Sequence, residues 1–105
     1  MQKNSIEDTL AERGKTYGSF VEHANIAQAL KDVMRLTPKW RGLTCDKKQA
    51  LEVIADKIGR ILNGDPEFHD SWHDIGGYAK LVADQILRDA AQVNSSGITF
   101  TRDLK

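Results

Sequence analysis

The tetrapeptide Asn63-Gly64-Asp65-Pro66 stands between two long stretches whose apolar residues recur at helical spacing. Asparagine, glycine and aspartate favour turns, and proline lacks the amide hydrogen that a helix interior needs. Before the break, Leu51, Ile54, Ile58, Ile61 and Leu62 form one stripe. After it, Trp72, Ile75, Ala79, Val82, Ala83 and Ile86 form another, the pattern of a helix with one face inside. Two amphipathic helices joined by so short a link lie antiparallel.

Further helices are expected upstream. Ser5 or Asn4 caps a first helix that Gly14 ends, because glycine readily turns left-handed past a helix terminus. Ser19, with Glu22 three residues on, opens a second, in which Phe20, Ala24, Ala27, Leu30, Val33 and Met34 face inward. That helix stops near Leu36, ahead of Thr37-Pro38, and the segment from Pro38 to Cys45 is a loop. Asp46 is the expected cap of the third helix, with Gln49 at the capping-box position. The fourth runs from His69 or Ser71 to about Ala91 and carries Gly76-Gly77, which costs roughly 1 kcal/mol per glycine relative to alanine and implies close packing or room for a ligand. Beyond Asn94-Ser95-Ser96-Gly97, the run Ile98-Thr99-Phe100-Thr101 alternates like a short strand. The expectation is an all-α bundle of about four helices in a single domain, residues 1–93, with a strand-like or disordered tail, residues 94–105.

Apolar residues make up 40% of the 105 and charged residues 29%, the balance of a chain that folds rather than one that stays disordered. Fifteen basic and fifteen acidic residues cancel, which argues against nucleic acid or an anionic membrane as the partner. The basic stretch around Trp40, with Lys39, Arg41, Lys47 and Lys48, reads as a solvated loop. Cys45 is the only cysteine, so no disulfide forms within the chain, and with no long apolar run a cytoplasmic setting is expected. Four helices of this length have a small core, and apolar faces including Val53 and Leu81 call for a homodimer or higher oligomer.

The polar residues cluster in the hairpin. Residues four apart share a helix face, so Glu52 aligns with Asp56 and Asp70 with Asp74. Counting back from the turn sets Arg60 against Asp74 and brings Asp56 near Gly77 and Tyr78. Carboxylates on two walls are a hard oxygen donor set that suits Mg²⁺, and Lys57 or Arg60 beside them would meet phosphate oxygens. The same residues also describe a salt-bridged helix pair with no chemistry. His69 and His73 have a spacing that serves Zn²⁺, with Asp70, Asp74 or His23 as a further ligand, but two imidazoles one turn apart are more often surface residues. Arg13-Gly14-Lys15-Thr16-Tyr17-Gly18 lacks the leading glycine and strand context of a phosphate loop and reads as a tight turn. Arg13 and Tyr17 within it are candidate contacts to a ligand's phosphate or base.

Three blocks, Glu12 to Phe20, Asp56 to Arg60 and Asp70 to Tyr78, together resemble a family of small phage and prophage proteins over most of residues 6 to 90. More distantly, the arrangement is similar to the all-α MazG-like nucleoside triphosphate pyrophosphohydrolases. That resemblance implies Mg²⁺ held by Glu52, Asp56, Asp70 and Asp74, with Glu52, Asp56 and Asp74 catalytic, Lys57, Arg60 and Tyr78 on the nucleotide, and an oligomeric assembly. The chain departs from that superfamily in its first acidic helix, where Glu52-Val53-Ile54-Ala55-Asp56 has one acid fewer than the usual Glu-Glu-x-x-Glu. Two functions follow as expectations: Mg²⁺-dependent nucleotide binding or hydrolysis, or a non-catalytic helical interaction protein whose charges are structural.

Overall fold

The computed structural model describes residues 5 to 95, which form four α-helices and one short 3₁₀ turn, with no strand among them. Helix α1 spans Ile6–Tyr17, α2 Phe20–Arg35, α3 Cys45–Asn63 and α4 His69–Ser95, and the 3₁₀ turn Trp40–Gly42 sits between α2 and α3. The strand expected at residues 98–101 lies outside the described residues.

Local chemistry explains most of the helix ends. Ser5 accepts the amide of Asp8 at 3.1 Å and Ser19 that of Glu22 at 3.3 Å, each relieving one of the donors that a helix start leaves unpaired. Two ends differ from expectation. Helix α1 runs straight through Gly14 and stops at Gly18, whose φ of 81° is the conformation that glycine tolerates and whose amide donates back to the Gly14 carbonyl at 2.9 Å. Helix α3 is capped by Thr44 rather than Asp46, which instead lies in the first turn, where a carboxylate favours the helix dipole. The Thr44 hydroxyl, with Lys47 nearby, holds the Asp46 carboxyl below its usual range.

Helix α3 is the middle of the molecule, with α2 packed on one flank and α4 on the other, while α1 touches the rest chiefly at its C-terminal turn. Small residues permit this: Ala55 and Gly59 of α3 and Ala27 of α2 are buried, and a methyl group on Gly59 would press on the His23 ring. Ion pairs lock the flanks. Arg35 donates to Glu52 at 2.8 and 3.1 Å, and Lys31 meets Asp56 at 2.9 Å, four residues back on α2 and four on along α3, as antiparallel packing requires. On the other flank Lys57 meets Asp74 at 2.9 Å.

A row of three helices has two broad faces, and here they differ. At 100° per residue, Leu51, Ile58 and Leu62 fall on one line of α3, Ile26, Leu30 and Val33 on one side of α2, and Trp72, Ala79 and Ala83 on one line of α4. These lines share a face, turned away from the three ion pairs. Much of it is open: Leu62 is 68% exposed, Val33 65% and Trp72 56%. Several residues expected inside, Phe20, Val33, Trp72, Ala79 and Ala83 among them, are therefore on the surface, because a single layer has no second layer to cover them. Gly76 and Gly77 are exposed too, with no atom close enough to touch an added methyl group, so they serve neither close packing nor an enclosed ligand. No helix among the described residues is long and apolar enough to cross a membrane.

Candidate functional site

The acidic residues singled out by the sequence do not share one cavity. Glu52 and Asp56 lie on the flank of α3 that meets α2, whereas Lys57, one residue and 100° further round, faces α4. Asp74 therefore pairs with Lys57 rather than with Arg60, a slip of about one turn from the count along the hairpin, and Asp56 pairs with Lys31 rather than approaching Gly77 and Tyr78. The Lys57 ammonium, hydrogen-bonded to the Asp74 carboxylate, lowers the pKa of that group. Asp70 lies at the exposed start of α4, 3.6 Å from His69, and Tyr78 sits half-buried one turn beyond Asp74.

These donors do not fit a divalent ion. Glu52, Asp56 and Asp74 each have an oxygen engaged by a separate cation, and no three His, Cys, Asp or Glu side chains among the described residues are grouped to hold one. His69 and His73 lie side by side with ring centroids 5.4 Å apart, and His23 is on a different helix.

A different set does converge, at the junction of α1, α2 and α3. Tyr17, the last residue of α1, is surrounded: the Arg60 guanidinium lies 4.6 Å from its ring centroid, that of Arg13 5.6 Å, and Phe68 meets it edge-on at 5.8 Å. The backbone beneath is interlocked. Asn63 donates its side-chain amide to the carbonyls of Tyr17 at 3.0 Å and Ser19 at 2.8 Å, and the Asp65 amide donates to the Thr16 carbonyl at 2.8 Å. Gly18 and Gly64 face each other's strands of this crossing so closely that a methyl group on either would overlap main-chain atoms of the other segment.

Beside this junction opens a cavity of about 780 Å³, whose apolar wall is Ile6, Leu10 and Phe20 and whose polar wall is Arg13, Ser19 and Arg60. Its size is that of small-molecule pockets generally. Neither arginine is in an ion pair among the described residues. Two like charges held near one ring and outside any direct ion pair create a positive potential at the cavity mouth, which the π face of Tyr17 and the more distant Asp74 carboxylate, itself under the charge of Arg60, offset only in part. His23 also lines the cavity, although its buried Nδ1 has no hydrogen-bond partner and is turned onto Gly59.

Arg13, Tyr17 and Arg60 were legible as candidate ligand contacts, and the structure brings all three together. Phe20, Asn63 and Phe68 were not. The signal for Asn63 was its place at the last turn of a helix beside a glycine, where a short amide can reach a neighbouring backbone. No protein-family model matches this chain, and neither a curated protein nor a solved structure matches it.

Proposed function

We propose that the chain binds a nucleotide at the Tyr17 junction, with the phosphates between Arg13 and Arg60 and the base against Phe20 and Leu10. The observation that carries this reading is the pair of guanidinium groups, drawn from α1 and α3, that meet one tyrosine ring, neither of them in a direct ion pair among the described residues. A planar guanidinium donates two parallel hydrogen bonds to a phosphate, so two of them select a multiply charged anion over a neutral ligand. Tyr17 lies within cation–π distance of both guanidinium groups and so holds them near each other. Phe20, which also lines the cavity and is 80% exposed, offers the flat apolar surface that a base needs.

Binding rather than hydrolysis is what this arrangement favours, because Glu52, Asp56 and Asp74 are each engaged by a separate cation, Arg35, Lys31 and Lys57. Calorimetric titration with adenosine, its monophosphate and its triphosphate tests the reading. Affinity should rise with each added phosphate, and Arg13→Ala and Arg60→Ala should each weaken triphosphate binding by about 1.5–3 kcal/mol, the value of a charge-assisted hydrogen bond. Equal binding of the nucleoside and its triphosphate, or a double variant that binds like the parent, would sink it.

A further inference from the structure

We infer that the open apolar face of the α2–α3–α4 layer is covered by the same face of a second copy of this chain. Val33 of α2, Leu51 and Leu62 of α3, and Trp72, Ala83 and Leu87 of α4 lie along this side or its rim, all exposed. Helices bury an apolar stripe by packing a second layer against it, and these described residues supply only one layer. The reverse side has its own solution in the pairs Arg35–Glu52, Lys31–Asp56 and Lys57–Asp74.

Three observations point to a copy of the chain rather than another partner. The line of α3 from Leu51 to Leu62 contains Ile54, Ala55 and Ile58 and no charge, so nothing there selects a partner by electrostatic complement. The chain's formal net charge is zero, so two copies do not repel. The face is also large enough: three helices about 9 Å apart and roughly 28 Å long present near 800 Å² per copy, the amount a stable specific interface takes from each side. A two-fold axis lying in the plane between the layers, opposite α3, would set each α3 across its twin and give a six-helix body in two layers, an arrangement in which one patch serves both partners. Leu81, 63% exposed on the ion-paired side of α4, stays outside this contact, as does half-buried Val53. The covered face is thus not the one that these two residues suggested from the sequence.

Sedimentation equilibrium of the full chain tests this. The expected result is a species of twice the 11.7 kDa chain mass at micromolar concentration, and a melting temperature that climbs as the protein is concentrated. Leu62→Glu should weaken association about a hundredfold or more, whereas Leu81→Glu should leave it unchanged. Should Leu62→Glu fail to fold, the concentration dependence of the parent's melting still decides the matter. A cooperatively folded monomer with a concentration-independent melt overturns the inference, and so does a dimer that Leu81→Glu disrupts as strongly as Leu62→Glu. Neither readout involves the nucleotide, so this result and that of the titration are separate.

Discussion

Two pairs of glycines in this molecule do opposite things. Gly18 and Gly64 meet at the crossing of the α1–α2 turn and the end of α3, where each lies against the other segment's backbone and Asn63 bonds across the gap. Gly76 and Gly77 lie in the second and third turns of α4, exposed and touched by nothing. The first pair is required by contact, since no side chain fits between the two main chains. The second pair has no such contact within the described chain and weakens the helix locally, with Gly76 on the face inferred to meet a second copy. Glycine in a sequence thus marks either a place where chains must approach or a place where nothing holds the residue, and only the packing separates these cases.

The largest effect should come from breaking the first pair. Gly64→Ala sets a methyl group onto the Thr16 carbonyl and the Tyr17 backbone, atoms that cannot swing aside as the end of a long side chain does. A loss of about 3 kcal/mol is expected, or roughly 12–24 °C in melting temperature for a domain of this size, measured by circular dichroism at fixed protein concentration. Because Tyr17 sits on this crossing, the same change should displace Arg13 and Arg60 and weaken nucleotide binding under conditions where the variant is still folded. A neutral outcome for Gly64→Ala would mean that the two segments are not interlocked.

Substitution in the second pair should have the opposite sign. Gly77→Ala introduces no contact, keeps a helical backbone and removes unfolded-state freedom, so it should stabilise by about 1 kcal/mol or less. The comparison is sharpest when both alanine variants are melted side by side, since one amino-acid exchange then moves stability both ways. If Gly77→Ala destabilised, something must cover that part of α4 in the assembled protein, and the glycine would be there to admit it.

How much of this the sequence discloses depends on the range of the interaction. Ser5, Ser19 and the Asn63-to-Pro66 break were legible because capping and turn chemistry involve neighbours along the chain. The stop at Gly18 rather than Gly14 was not, since what distinguishes those glycines is Asn63, far away in sequence. The acids show the same limit. The spacing of Glu52 and Asp56 places them together on α3, but which neighbour they face is set by how the helix is rotated. That rotation follows from Gly59 and Ala55, small enough to bring α2 onto this flank. A hint was present in Lys31 and Arg35, a basic pair at the same four-residue spacing as the acidic pair they meet. Face assignment by periodicity failed where a helix has neighbours on its flanks but none above: the stripes were correctly apolar, yet seven of their seventeen residues lie open.

The smallest expected effect concerns what ties the glycine-bearing stretch of α4 to α3, namely Lys57 and Asp74. The Asp74 carboxyl is held below the usual carboxylate range, first by the hydrogen bond from Lys57 and then by that ammonium's charge, with desolvation opposing both. A carboxyl whose pKa is lower folded than unfolded favours the folded state once it is ionised. Its contribution is therefore complete above the unfolded pKa and fades as pH falls through the folded one. Stability measured by urea denaturation should accordingly show a shallow acid limb beginning near pH 4. Asp74→Asn should flatten this limb while changing little at neutral pH, because the carboxylate is well solvated and an exposed ion pair contributes little there. At this level the two regions differ again: the Gly18–Gly64 crossing is held by backbone carbonyls and an amide side chain that do not titrate. Acidification to pH 3 should thus loosen α4 ahead of the crossing, with amide hydrogen exchange rising around Gly76 and Gly77 before it rises at Gly18 and Asp65. The reverse order of exchange would show that Lys57 and Asp74 are not what fastens that stretch.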